Sequence, residues 1–418
     1  MEALDEDFLE SLEGLKEDWA VIEKILPAGW EEKARELGAL LREKGFAGPS
    51  PLLRTLLIHL NDGCALRETA VRAKEGGLAD VSDVALLKRL RGCGEWFRWM
   101  VEELVRSMPV ERKDLLPGKR IRLVDASVVS EPGATGSTWR LHYSINLSTL
   151  SCEEAHVTEV SVGESLTRFA VKPGDVLMGD RGLAHVRGVR HVVKHGGDVI
   201  VRKNLDMLPL TDGSGQPLAL LPKLRALSYG ETGSWQAQIS DKTGALPVKV
   251  CAIKKSETET QRSQEKLRKT AKRKGHQLKP ETLEAAGYIV VVTTLLTVAA
   301  TTILALYRFR WQIELAFKRL KSLLQLGHLK KKDKVGARAW LQGKLLVAVL
   351  IEKLIAVGER FSPWGYLLRD GEETATTMLL ARGVDDAFPR ESSHQSGALA
   401  DKSLARLAKD RRSTMRVA

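Results

Sequence analysis

The sequence predicts a mixed α/β fold with helical parts at both ends. Apolar residues recur at helical spacing through the first 115 or so residues, punctuated by glycine and proline. From Lys119 the chain becomes rich in β-branched residues and alternates between apolar and polar, which is typical of strands. Further along, the apolar-rich segment from Ala339 to Val357 again has the spacing of a helix.

Two aspartates fall beside predicted strands. RIRLVDASVVS is a strand candidate with Asp125 near its end, and VLMGDRGLAH places Asp180 after a short apolar strand, at the start of a helix. Between them the sequence predicts strands at residues 138–147 and 156–162, and a further strand follows at residues 198–202. Carboxylates at strand ends collect at a sheet edge, where catalytic groups are common. The structural alternatives are a turn residue for Asp125 and a helix N-cap for Asp180.

A third acidic residue lies in the stretch LYRFRWQIELAFKRLKSLLQL, residues 306–326. On a regular helix, Tyr307, Arg310, Glu314 and Lys321 fall within an arc of about 60° beside an apolar stripe. One carboxylate among a phenol, a guanidinium and an ammonium suits an anionic substrate together with a metal. The alternative is an amphipathic core helix with a solvated charged edge.

The spacing Tyr307-x2-Arg310-x3-Glu314-x6-Lys321 resembles the YREK signature of the IS4 family of insertion-sequence transposases. The resemblance extends over roughly residues 119–327. It implies a ribonuclease H-like core in which Asp125, Asp180 and Glu314 form a DDE triad. The segment Asp180-Arg181-Gly182 resembles the family's second-aspartate region, although Leu183 stands where the family commonly has an aromatic residue.

The resemblance also assigns the site residues. Asp125, Asp180 and Glu314 are the expected catalytic residues and the ligands of two Mg²⁺ ions, with Mn²⁺ as an alternative, because hard oxygen donors select such metals. The remaining site residues are expected to bind DNA: Tyr307, Arg310 and Lys321 through phosphates, with Lys318, Trp311 and Arg181 beside them.

The separation of 134 residues between Asp180 and Glu314 is too long for one crossover and predicts an insertion. Its strand-like segments SWQAQIS and LPVKVCAIK lead into residues 254–279, which hold ten lysines and arginines against three glutamates. The run Lys266 to Lys274 is either a solvated face or, as we favour, a DNA-backbone contact.

The expected domains are a helical DNA-binding region (1–115), the core's first part (116–204), a β-rich basic insertion (205–287), the core's second part (288–330) and a helical C-terminal region with a low-apolar tail (331–418).

The composition of the 418 residues favours a polyanionic partner, because the net charge is +12. The acidic N-terminus has no apolar signal core. The charge-free run from Ala285 to Tyr307 has the length of a membrane span, but its β-branched start predicts a buried strand followed by a helix. Four cysteines without metal-ligand spacing predict reduced thiols. We therefore expect a bacterial cytoplasmic protein associated with the nucleoid and no membrane partner.

Several features allow more than one interpretation. The basic N-terminal helices suit either a helix-turn-helix-like module or a plain scaffold. His142 is expected to be structural, and His185, His191 and His195 lack the pattern of a zinc site. Trp235 suits either base stacking or cross-strand packing.

The sequence as a whole predicts a cut-and-paste DDE transposase. Its expected partners are the terminal inverted repeats of a transposon and the target DNA, and a homodimer would join two ends. The alternatives are a metal-dependent nuclease of the same fold without strand transfer, and a non-catalytic DNA-binding regulator.

Overall fold

An eight-stranded mixed sheet organises the chain. The computed structural model describes residues 18–108, 115–203, 205, 207–327, 329, 331 and 333–358. The described strands are β1 (Arg120–Val129), β2 (Trp139–Asn146), β3 (Cys152–Glu159), β4 (Asp175–Gly179), β5 (Asp198–Arg202), β6 (Thr232–Asp241), β7 (Gly244–Lys254) and β8 (Tyr288–Thr293). The strand predicted at residues 156–162 thus begins four residues earlier, at Cys152.

The sheet order is β3-β2-β1-β4-β5-β8-β7-β6. Strands β1, β4 and β5 are parallel, whereas β2, β3 and β8 run antiparallel to their neighbours. The hairpin β6–β7 lies in the predicted insertion, and it extends the same sheet through the pairing of β7 with β8. The predicted α/β fold, with a ribonuclease H-like core, a strand-rich insertion and helical ends, is confirmed.

Helices cover both faces of the sheet. On one face, Val124 of β1 belongs to a core cluster with Val189 and Val192 of helix α7 (Val186–Lys194). Asp125, the next residue of β1, points to the opposite face because side chains alternate along a strand. There, Tyr143 packs against Phe317 of helix α12 (Gln312–Ser322), with ring centroids 5.9 Å apart.

The N-terminal part is helical, as predicted. Its described helices are α1 (Asp18–Ile25), α2 (Trp30–Glu36), α3 (Pro49–Asp62), α4 (Leu66–Glu75), α5 (Asp83–Gly92) and α6 (Gly94–Arg106). Ser82 caps the start of α5, since its hydroxyl accepts a 3.2 Å hydrogen bond from the backbone N–H of Ala85. Whether this region binds DNA stays a prediction.

The insertion, the second part of the core and the C-terminal part add the remaining described helices: α8 (Leu220–Arg225), α9 (Glu257–Lys274), α10 (Pro280–Ala285), α11 (Ala300–Arg308), α12 and α13 (Lys334–Gly358). The run Ala285 to Tyr307 forms β8 and most of α11, as predicted. Within the described ranges, every helix is too short or too polar to cross a bilayer. The predicted tail lies outside the described residues. All four cysteines are free and buried.

The stretch around Glu314 departs from the predicted regular helix. A 3₁₀ turn, Phe309–Trp311, separates α11 from α12. The turn tightens the chain to about 3.0 residues per turn, so the angles of a uniform helical wheel do not hold across it. Tyr307 and Arg310 therefore lie before or within this turn, whereas Glu314 and Lys321 lie on α12 after it.

Candidate active site

Asp125 lies in the middle of β1, opposite Tyr143 of β2. The predicted position near the strand end is wrong, because the pairing of β1 with β2 continues as far as Val129. One Asp125 carboxylate oxygen accepts a 2.7 Å hydrogen bond from the backbone N–H of Ala126. A half-buried carboxylate inside a sheet is costly unless a partner or a metal compensates its charge.

Asp180 directly follows β4, the parallel neighbour of β1. Leu123 is in register with Met178, so two residues further on, Asp125 and Asp180 stand level. The Asp180 side chain accepts a 2.7 Å hydrogen bond from the backbone N–H of Gly182 and caps a short 3₁₀ turn. The N-cap alternative is thus correct for this contact. It leaves acceptor capacity for a metal, because a carboxylate has about four lone-pair sites.

The two aspartates are coupled electrostatically. Burial is the main reason why the pKa of Asp125 is raised to about 7; the negative charge of Asp180 acts in the same direction, against the hydrogen bond from Ala126 and the positive charge of Arg310. A divalent cation between two such carboxylates would remove their repulsion. This pair therefore has the donor chemistry of a metal site.

Glu314 lies in the first turn of α12 and is paired with Arg310, one turn earlier. Its side chain is 59% exposed, whereas that of Arg310 is 19% exposed. Arg310 acts electrostatically on both Glu314 and Asp125. Arg310 therefore links Glu314 electrostatically to Asp125.

Lys321 fixes the far end of the same helix to β1. Its ammonium donates a 3.0 Å hydrogen bond to the backbone carbonyl of Val128. Lys318 is exposed on α12, Trp311 is 49% exposed at the end of the 3₁₀ turn, and Arg181 is exposed immediately after Asp180. These side chains border the Asp125 face of the sheet without being buried in it.

Tyr307 is buried, and its hydroxyl has no hydrogen-bond partner among the described residues. Burial raises its pKa to about 12, while the positive charges of Arg310, Arg202 and Arg181 lower it. A buried hydroxyl without a partner loses about 1–3 kcal/mol of hydration. Its place among three arginines suggests a ligand oxygen as the missing partner.

Arg202, the last residue of β5, is a further cation near the site that no sequence pattern indicated. Burial lowers its pKa, and the charges of Tyr307, Arg181, Arg310 and Asp180 all act on it. The segment GGDVIVRKN does predict a short strand that ends in a cation. Without the sheet order, however, its proximity to Tyr307 was not predictable.

The chain matches the Transposase DDE domain family over residues 117–350. It is 34% identical over 345 residues to the putative transposase InsL of insertion sequence element IS186A from Escherichia coli strain K12, covering 81% of this chain and 93% of that protein. It is also 34% identical over 346 residues to the transposase of insertion sequence element IS421 from Escherichia coli, with the same shares covered. The chain belongs to the DDE transposase family. The predicted IS4-like transposase is thereby confirmed, and neither the nuclease nor the regulator alternative is favoured.

A DDE transposase domain implies the use of divalent metal ions. In this transposase the oxygen donors of Asp125 and Asp180 fit such an ion. Glu314 is paired with Arg310 instead, and within the described ranges no three acidic, histidine or cysteine side chains are grouped as a metal site. Two of the three predicted ligands are therefore brought together, and the third lies on the covering helix.

Glu164 is a further carboxylate near the aspartates that the sequence did not single out. The side-chain oxygens of Glu164 and Asp180 lie 3.1 and 3.2 Å from where a Cβ would stand on Gly182, so a larger residue would be crowded there. Burial raises the pKa of Glu164, and the charge of Asp180 raises it further. Arg140 pairs with Glu164 at 3.7 Å and partly compensates this charge. No motif marks the loop that carries Glu164.

The remaining candidates in the transposase are structural. His142 is buried and hydrogen-bonds Thr158 at 3.0 Å, and burial lowers its pKa to about 4. His195 hydrogen-bonds the carbonyl of His191, and no zinc cluster forms among the described residues. Trp235 packs against the sheet's core cluster, which agrees with the cross-strand interpretation.

Proposed function

We propose that Asp125, Asp180 and Glu314 are the catalytic carboxylates of this transposase and that they hold two Mg²⁺ ions, or Mn²⁺ ions, during cut-and-paste transposition. The single observation that carries the proposal is the level placement of Asp125 and Asp180 on neighbouring parallel strands, with the helix of Glu314 covering the same face. Bound between these carboxylates, the ions would activate the attacking oxygen and neutralise the negative charge on the phosphate in the transition state.

The residues of the chain would then position the DNA. Tyr307, Arg310 and Lys321 would bind phosphates next to the bond that is cut, and Arg202 would join them because it lies among the same charges. Arg310 offers a fork of donors, whereas Lys321 acts as a point charge. Lys318, Trp311 and Arg181, which are all exposed, would contact the DNA on either side of these phosphates.

Two reactions follow from this arrangement. In the first, a water oxygen attacks the phosphorus at the transposon end, and the bond from phosphorus to the 3′ oxygen breaks, leaving a 3′-hydroxyl. In the second, that hydroxyl loses its proton and attacks a phosphorus of the target DNA, whose own 3′ oxygen departs. Two terminal inverted repeats have to be joined to one target, so we propose a homodimer in the DNA complex. The bacterial cytoplasm, at the nucleoid, is the proposed place of action.

Single substitutions test the triad. Asp125→Ala, Asp180→Ala and Glu314→Ala should each abolish Mg²⁺-dependent cleavage of a duplex that carries the DNA bordering the reading frame, while DNA binding persists. The matched control is Asp212→Ala, a half-buried aspartate in the turn-rich start of the insertion, whose carboxylate accepts hydrogen bonds from Ser214 and Gln216. Normal cleavage by any of the three variants would remove that residue from the triad.

A further inference from the structure

Helix α9 begins beside the proposed active site. Lys255 lies just before its N-cap, Ser256, directly after β7, and β7 pairs with β8, the neighbour of the strand that ends in Arg202. Burial, together with the positive charges of Arg202 and Arg181, lowers the pKa of Lys255 to about 8. The start is fixed by a capping box, in which Ser256 and Glu259 exchange hydrogen bonds between side chain and backbone. The helix then runs for 18 residues, about 27 Å, from that point.

One face of α9 carries four evenly spaced cations. Arg262, Lys266, Lys269 and Arg273 follow one another at intervals of four, three and four residues, so they fall within an arc of about 60°. All four are exposed, and they line a surface groove together with Glu265 and Thr270. We call these four residues the α9 stripe. It is about 16 Å long.

The helix packs through its other side. Ala271 is buried, and Gln264 donates a 3.0 Å hydrogen bond to the carbonyl of Leu283 within α10. These two positions lie roughly opposite the α9 stripe on the helix. The stripe therefore faces away from the fold. Of the three glutamates on the helix, Glu257 and Glu259 lie before the stripe at the capped end, and Glu265 alone lies beside it.

We propose that the α9 stripe binds the phosphate backbone of the duplex that is being cut, as a continuation of the active-site cations. Because the phosphates of one strand advance by about 3.4 Å per nucleotide, a length of about 16 Å presents about five phosphates, which is enough to engage all four cations. Continuity favours the cut duplex over target DNA, because β5, which ends in Arg202, pairs with β8, and β8 pairs with β7, whose end leads through Lys255 into α9. This inference rests on the proposed function, since it requires the active site to hold DNA.

A pair of matched double variants tests the stripe. Lys266→Ala/Lys269→Ala removes two stripe cations, and Arg268→Ala/Lys274→Ala removes two exposed cations that flank the packing side of the same helix. Binding of the full-length protein to a duplex bearing the DNA that borders the reading frame is measured against salt in EDTA. The stripe variant should lower the slope of log affinity against log salt by about 1.8, and the control should leave it within a few tenths.

The binding slopes test the α9 stripe separately from the proposed function. If the proposed function were wrong, the wild-type protein itself would fail to cleave the duplex in Mg²⁺. Equal slopes for both double variants would overturn the stripe. So would a stripe variant that binds and cuts the end duplex normally but fails to join a pre-cut end to a plasmid, because target DNA would then be the occupant. Circular dichroism of both variants should match the wild type, since none of the four residues is buried.

Discussion

Arg310 is paired with the carboxylate of Glu314, the acidic residue that the proposed site requires at the metal. The pair lies within one helical turn, and Arg310 also acts on the charge of Asp125. A DNA phosphate that binds the Arg310 guanidinium would break its pair with Glu314. The Glu314 carboxylate could then turn toward Asp125 and Asp180. Phosphate binding and metal binding would then support each other, as linkage requires of two coupled sites.

We predict that Arg310→Ala binds Mn²⁺ more tightly than the wild type in the absence of DNA. The substitution frees Glu314 and also removes a positive charge from the site. Isothermal titration calorimetry of the DNA-free protein measures the change, which should be about tenfold for a coupling of 1–2 kcal/mol. Arg202→Ala is the control, because it removes a nearby charge but leaves the Glu314 pair intact. An equal gain in Mn²⁺ affinity in both variants would mean that the lost positive charge alone explains the effect, and that release of Glu314 contributes nothing.

Asp125 should make the metal-free protein less stable as pH rises. Its pKa is about 7 in the folded chain and near 3.8 in the unfolded chain. Between these values the folded state binds more protons, so the free energy of unfolding falls as pH rises from about 4 to about 7 and levels off above. Asp125→Asn lacks this titration.

Urea unfolding of both proteins across this pH range measures the effect. The difference in stability should be near zero at about pH 4 and favour Asp125→Asn by up to about 4 kcal/mol at about pH 8, the ceiling for three pKa units. Added Mg²⁺ should stabilise the wild type at the higher pH and leave Asp125→Asn unchanged. A pH-independent difference would contradict the raised pKa.

Tyr307→Phe should fold more stably and bind DNA less well. The buried hydroxyl has no partner among the described residues, so its removal relieves a desolvation cost of about 1 kcal/mol. If the hydroxyl binds a phosphate, the same change removes that contact and weakens end-duplex binding several-fold. Thermal unfolding and an electrophoretic mobility shift assay measure the two effects. Tyr229→Phe is the control, because that side chain is 73% exposed. Unchanged binding by Tyr307→Phe would mean that the hydroxyl is only a packing defect.

The sequence predicted the strands of the core well because β-branched runs and a short apolar run mark them directly. Asp180 was placed correctly for the same reason, since VLMG can only be a short strand before a turn. What the sequence lacked was the sheet order. Arg202 and Glu164 approach Asp180 only because β4, β5 and the loop after β3 meet there, and residue spacing carries no such information.

The helix of Glu314 shows the converse. The YREK spacing was specific enough to indicate the family. The angles between the four side chains, however, were calculated for a regular α-helix and do not hold across the 3₁₀ turn. The 3₁₀ turn at Phe309–Trp311 separates the buried Tyr307 from the exposed Glu314. Local propensity does not predict that turn, because every residue in it also suits an α-helix.

Lys321→Ala should lower the salt dependence of DNA binding. Its ammonium is half-buried against β1, and desolvation lowers its pKa, so a phosphate would bind it at little further desolvation cost. Losing one phosphate contact lowers the slope of log affinity against log salt by about 1. Lys194→Ala is the matched control, because this exposed lysine ends α7 on the opposite face of the sheet and should leave the slope unchanged. The loss of the hydrogen bond to Val128 costs about 1 kcal/mol of folding stability, which thermal unfolding measures separately. If the variant is less stable but its salt slope is unchanged, Lys321 only holds α12 against β1 and is not one of the phosphate-binding residues.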